Sequence, residues 1–184
     1  MNPRHIPNII TVGRILLVYP VIDLLLAQRF DWALGLFVVA GLSDAVDGFL
    51  AKYFHWQSRL GSYLDPLADK LLLVSCYIAL SWLGLLPVWL AVLVVLRDLV
   101  IFSGAVAYYF LLRPFEGQPL LLSKLNTLLQ LVLVFAVLVR HGVATFPASL
   151  VDGLILLAAF TTLASGAQYV YIWGNSYLHS KRSA

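Results

Sequence analysis

SDAVDGFLAKYFHWQSRLGSYLDPLADK, residues 43–70, places Asp44, Asp47, Asp65 and Asp69 in a chain of 184 residues that is 61% hydrophobic and only 11% charged. Soluble domains carry about 25% charged residues, so this is the composition of a membrane protein. Asp44, Asp47, Gly48 and Ala51 are spaced i, i+3, i+4 and i+7, which at 3.6 residues per turn puts them on one face of a helix. Gly61, Asp65 and Asp69, at i, i+4 and i+8, share a face of the next helix. The short turn at His55–Ser58 makes the two helices antiparallel neighbours, so the carboxylates are expected to converge.

Convergence of this kind is costly. An aspartate in a bilayer costs roughly 2.5 to 3.5 kcal/mol on the insertion scale, so four cost about 10 kcal/mol before mutual repulsion is counted. A cationic partner has to offset this, and Lys52 and Lys70 supply two charges against four. An oxygen-only donor set, with no cysteine or clustered histidine, suits hard ions such as Mg²⁺ or Mn²⁺ and argues against zinc. Two divalent ions would balance the set and are suited to clamping a pyrophosphate. Gly48, Gly61 and Ala51 form a small surface beside the acids, where either a nucleotide or a neighbouring helix can come close.

Six segments reach the roughly 20 mainly apolar residues that a span needs: residues 8–28, 32–53, 60–81, 86–111, 120–140 and 150–173. The breaks between them, QRFD, HWQSR, SWLGLLP, RPFEGQP and RHGVATFP, carry turn residues. The expected fold is therefore all-α, a polytopic bundle of six transmembrane helices in one domain over residues 1–184. It has a short interfacial segment at residues 1–7 and a disordered basic tail at residues 175–184. The N-terminal stretch carries a positive charge before apolar residues but no small-residue cleavage site, so it reads as a retained first span.

Arg4, Lys52, Arg59, Arg113, Lys124, Lys181 and Arg182 fall on the side of the termini, against Arg29 and Arg140 on the other. By the positive-inside rule both termini and the aspartates face the cytoplasm. No Arg/Ser-rich transit segment is visible, which favours a bacterial inner membrane. The net charge of +3, from 12 basic and 9 acidic side chains, is too small an excess to point to nucleic acid. A single cysteine, Cys76, excludes an intrachain disulfide. His5, His55 and His179 lie at loops or termini without partners at metal spacing. The five Trp and nine Tyr mostly fall near span ends, as an aromatic belt.

The pattern Asp44-x-x-Asp47-Gly48-x-x-Ala51-Lys52-x8-Gly61-x3-Asp65-x3-Asp69 fixes eight positions over 26 residues. It resembles the signature of the CDP-alcohol phosphatidyltransferases. The resemblance implies a homodimer of six-helix protomers that transfers a phosphatidyl or similar group from a CDP-linked donor to an alcohol. It further implies that Asp44, Asp47 and Asp65 bind two divalent metals, with Asp69 closing the acidic set and matching the general base. Asp44, Gly48, Ala51, Lys52 and Gly61 match positions that meet the cytidine diphosphate. Lys52 departs from the family's usual arginine, keeping the charge but not the planar fork that grips a phosphate with two parallel bonds.

IPNIITVGRI, residues 6–15, resembles the opening of both the phosphatidylglycerophosphate synthases and the cardiolipin synthases of this family. LRDLVIFSGA, SKLNTLLQLVLV and FTTLASGAQYV resemble the cardiolipin synthases more closely. The expected reaction is thus transfer from CDP-diacylglycerol to phosphatidylglycerol, giving cardiolipin and CMP; glycerol-3-phosphate is the alternative acceptor. Candidate acceptor contacts are Arg14, a cation inside the first span, together with Arg97, Lys124 and Asn126. Asn126, Thr127 and Gln130 have a second reading as interhelical hydrogen bonders. An ion-coupled transporter is the alternative from another class, but it calls for acids distributed through the bilayer and for inverted repeats. Here the acids collect at one end of one hairpin, and no repeat is present.

Overall fold

A computed structural model describes residues 6–54, 59–112 and 121–182 of the chain. These form six helices: α1 (Ile6–Leu26), α2 (Phe30–Tyr53), α3 (Arg59–Trp82), α4 (Val88–Leu112), α5 (Leu121–Gly142) and α6 (Ala148–Arg182). The fold is all-helical, with no strand among the described residues. Two helical segments, Leu121–Gly142 and Ala148–Ile172, are long and apolar enough to cross a membrane on the described residues.

Physical stop signals explain the helix ends. After α1, Gln28 N–H bonds to Leu25 O and Arg29 N–H to Leu24 O, both at 2.9 Å, with Gln28 in the left-handed region at φ 57°. After α3, Gly84 N–H bonds to Ser81 O and Leu85 N–H to Leu80 O, with Gly84 at φ 72°. Both are Schellman closures, which satisfy the last carbonyls of a helix. Gly84 takes this conformation freely, whereas Gln28 takes it against a steric cost. α2 opens with Asp31 in its first turn, and α5 closes with Arg140 in its last, each opposite in sign to the local end of the helix dipole.

The helix α6 runs on through residues 175–182, within the stretch expected as a basic tail, and ends at Arg182. Falling hydropathy after residue 173 marks where apolar residues stop. It supplies no glycine or proline to end the hydrogen-bond ladder, apart from a tolerated Gly174. α1 begins at Ile6 with Pro7 in its first turn, where the missing N–H is no loss, and residues 1–5 of the expected interfacial segment lie outside the described residues. The breaks expected at HWQSR and RPFEGQP include residues 55–58 and 113–119, which lie outside the described residues.

The chain divides into two compact units. One comprises Met1–Leu86 with Val134–Pro147, the other Pro87–Leu133 with Ala148–Ala184. In the first, α1 packs against both α2 and α3. Its buried stripe is Thr11, Arg14, Val21 and Leu25, spaced by threes and fours or their sum, so the side facing α2 and α3 is polar at the start and apolar further on. α2 answers with Ala33, Phe37 and Ala40, and α3 with Leu72, Leu73, Cys76, Tyr77 and Leu80. Small residues on α2 admit a close helix approach.

The end of α5 joins this unit at the α1–α2 turn, where the rings of Phe30 and His141 lie 5.5 Å apart. A Cβ on Gly142 would stand 2.6 Å from the Asp31 nitrogen, so only glycine permits this approach.

In the second unit α4 packs on α6. Leu90, Ala91, Val94 and Arg97 of α4 are buried, as are Val151, Ala158, Thr161, Thr162 and Ser165 of α6 and Asn126, Gln130 and Leu133 of α5. The stripes of α4 and α6 run from apolar to polar along the helix, and that of α5 runs from polar to apolar. Large apolar side chains are exposed in both units, such as Leu16 of α1 in the first and Phe160 of α6 in the second, each 69% exposed.

Candidate active site

Arg14 is the pivot of the first unit. Its side chain is 1% exposed, and its Nη1 donates to Asp44 Oδ1 at 2.6 Å and to Asp69 Oδ1 at 2.5 Å. A guanidinium Nη carries two hydrogens, one for each carboxylate. Three helices therefore meet at one nitrogen: α1 supplies the cation, α2 and α3 the acids. The expected approach of Asp44 to Asp69 is present, but it is organised by a third helix.

The two carboxylates are unlike the arginine in exposure. Asp44 and Asp69 side chains are 43% and 44% exposed while one oxygen of each meets the guanidinium. One turn beyond Asp44, Gly48 is exposed, and a Cβ placed there would touch nothing within 4 Å. At Gly48 the helix-packing alternative finds no neighbour among the described residues, and the surface beside Asp44 is open. Asp47, Ala51 and Lys52 continue α2, and Gly61 and Asp65 belong to α3; their side chains lie outside the described residues, as do those of His5, His55 and His179.

These residues fit a divalent ion. Two carboxylate oxygens from different helices reach a common point, and a positive charge already occupies it. The donors are all hard oxygens, the kind that Mg²⁺ or Mn²⁺ takes. Among the described residues no three acidic, histidine or cysteine side chains gather at one point, with Asp47 and Asp65 outside that set.

The second unit holds a separate polar cluster. Arg97, 6% exposed, donates from Nη1 to Asp98 Oδ1 at 2.8 Å and from Nη2 to the hydroxyls of Ser123 and Ser165 at 2.6 and 2.7 Å. Asn126 Oδ1 lies 2.9 Å from the Thr161 hydroxyl and 2.8 Å from that of Thr162, and Gln130 Nε2 donates to Thr162 Oγ1 at 3.1 Å. Each threonine hydroxyl also lies near backbone carbonyls one turn back, Thr161 near those of Leu157 and Ala158 and Thr162 near that of Ala158, so its single proton has three acceptors in reach at Thr161 and two at Thr162.

Arg97 and Asn126 thus sit in one network, Lys124 is exposed on α5, and Arg14 belongs to the first unit. Arg97 Nε and Asn126 Nδ2 are buried without a hydrogen-bond partner among the described residues. Ser123, Thr161, Thr162 and Ser165 were not singled out by sequence reasoning. The signal available for the last three was their shared face, at i, i+1 and i+4, in an otherwise apolar helix.

Comparison with known proteins gives the site its context. A family model described as CDP-alcohol phosphatidyltransferase matches residues 4–172. The chain is 36% identical over 186 residues to a protein of Rattus norvegicus named cardiolipin synthase (CMP-forming), covering 92% of this chain and 62% of that protein. It is 35% identical, with the same coverage, to the protein of that name from Homo sapiens. It is 30% identical over 187 residues to the CDP-diacylglycerol–glycerol-3-phosphate 3-phosphatidyltransferase of Bacillus subtilis (strain 168), covering 90% of this chain and 93% of that protein. The chain thus spans less than two thirds of the two mammalian relatives and nearly all of the bacterial one.

Proposed function

The chain belongs to the CDP-alcohol phosphatidyltransferase family, and from that premise we propose that it transfers a phosphatidyl group from CDP-diacylglycerol to phosphatidylglycerol, giving cardiolipin and CMP. The observation that carries this reading is the meeting of the part-exposed Asp44 and Asp69 at one cationic point, with exposed Gly48 one turn beyond Asp44.

Asp44, Asp47, Asp65 and Asp69 are the residues that would hold Mg²⁺ or Mn²⁺, in a site for two ions. When bound, the ions supply positive charge against the donor's pyrophosphate and the departing CMP. Gly48, Ala51, Lys52 and Gly61 receive the cytidine diphosphate, with the open face at Gly48 allowing close approach. Asp69 takes the proton of the acceptor hydroxyl on a carboxylate oxygen, a transfer that contributes about 10² to 10⁴ in rate. The freed oxygen forms a new bond to the phosphorus bearing diacylglycerol, and the bond from that phosphorus to CMP breaks.

Arg97, Lys124 and Asn126 are the proposed acceptor contacts. The buried Asn126 Nδ2 and Arg97 Nε, donors without a protein partner among the described residues, support that assignment, because a buried unmet donor is costly until a ligand fills it. Arg14 was read as a fourth contact of this kind. Its bonds to Asp44 and Asp69 favour a different role, taken up below.

Glycerol-3-phosphate is the second reading for the acceptor, supported by the match along nearly the full length of the Bacillus subtilis relative. Purified protein given labelled CDP-diacylglycerol and either alcohol separates the two. A tetra-acyl lipid product supports phosphatidylglycerol, a diacyl phosphate monoester supports glycerol-3-phosphate, and no CMP release with either refutes the activity.

The same reading has all six helices cross a bacterial inner membrane as a single domain, paired as a homodimer, with termini and aspartates cytoplasmic. The exposed apolar faces and the excess of Lys and Arg on the side of the termini support it. Labelling of single cysteines placed in each loop of spheroplasts checks the orientation.

A further inference from the structure

The function proposed above leaves Arg14 unexplained if it is only an acceptor contact, because its guanidinium is buried and committed to two acids. A buried arginine is costly unless paired, and a pair of adjacent carboxylates is costly unless a cation separates them. Each solves the other's problem here. The arginine stands on α1, outside the acidic hairpin, and reaches into it from 30 residues before Asp44 and 55 before Asp69 in sequence.

Taking the aspartates as the metal set, we propose that Arg14 is a built-in stand-in cation, which holds Asp44 and Asp69 together before a divalent ion arrives and competes with that ion for the same two oxygens. Nη1 occupies a point to which both Oδ1 atoms are already directed, so metal entry requires the guanidinium to give up at least one of its bonds. The site is thereby assembled in the absence of metal, and its affinity for metal alone is held down. Arg14 is a positioning residue in this account, acting through the two carboxylates.

The test is Mn²⁺ binding, read from loss of the free-ion electron paramagnetic resonance signal on titrating detergent-purified protein with no lipid donor present. Arg14→Gln is expected to bind Mn²⁺ about tenfold more tightly than wild type, since removal of a neighbouring charge of the same sign as the ion favours the ion. Arg14→Lys, which keeps the charge, is expected to stay within about threefold of wild type. A purely structural arginine predicts the opposite sign, with Arg14→Gln binding more weakly as the site falls apart.

Equal or weaker binding by Arg14→Gln, or an equal shift in both variants, overturns the proposal while leaving the metal site standing. Absence of Mn²⁺ binding in wild type and both variants overturns the metal site and this proposal together. Should Arg14→Gln not fold, wild-type protein with ¹⁵N-labelled arginine decides. Saturating Mg²⁺ is expected to speed hydrogen exchange at the Arg14 Nη, and unchanged exchange overturns the competition.

Discussion

Replacing Arg97 tests whether the polar cluster of the second unit is a structural necessity of the fold. The side chain is 6% exposed and makes three hydrogen bonds: to Asp98 at 2.8 Å, Ser123 at 2.6 Å and Ser165 at 2.7 Å. Arg97→Met removes all three and withdraws the arginine from the Asp98 carboxylate, whose side chain is 16% exposed, so the expected loss is about 3 to 5 kcal/mol, as for a buried pair broken on one side. Arg97→Lys keeps the charge but offers one nitrogen in place of a planar fork, and is expected to lose roughly 1.5 to 3 kcal/mol, about one charged hydrogen bond.

The double variant Arg97→Met with Asp98→Leu removes both charges, and is expected to recover half or more of the loss, because apolar replacement of a whole buried pair is often neutral. Unfolding of each variant in mixed micelles of mild detergent and dodecyl sulfate, followed by circular dichroism, gives the free energies. A loss under about 1 kcal/mol for Arg97→Met, or a double variant whose loss equals the sum of the two single ones, refutes this reasoning.

Further predictions concern the helix ends and the close contact at the α1–α2 turn. Gly84→Ala puts a Cβ at φ 72° and is expected to cost about 1 to 2 kcal/mol, whereas Gln28→Gly, at φ 57°, is expected to gain roughly 1 kcal/mol; the same unfolding assay reads both. Gly142→Ala drives a Cβ to 2.6 and 2.7 Å from the backbone of Asp31 and Phe30 and is expected to cost about 1 to 3 kcal/mol. Faster hydrogen exchange at residues 28–31 checks that the damage is local to that turn.

The six helices were readable because apolar runs and turn residues are local signals, and the acids shared a face because face-sharing follows from spacing within one helix. The partner of Arg14 was not readable. Nothing local at residue 14 points to residues 44 or 69; only the packing of α1 between two later helices brings them together, and Arg14 was accordingly assigned to the acceptor. Asn126 and Gln130 show the same limit, since their stripe on α5 was visible but the threonines they meet lie 32 to 36 residues later. The helix α6 outlasts the apolar run expected to end at residue 173. Hydropathy reports the solvent around a helix, and the backbone ladder continues to Arg182 after that solvent changes.

The central claim is that acids from α2 and α3 form a divalent-ion site that carries phosphatidyl transfer. Release of CMP from CDP-diacylglycerol by purified wild type, Asp44→Asn and Asp69→Asn, each with and without Mg²⁺, tests it most directly. The account predicts release by wild type that stops on chelation and falls by about 10² or more in both variants, with Asp69→Asn still binding metal and nucleotide. Release that survives chelation, or near-wild-type rates in either variant, would contradict it.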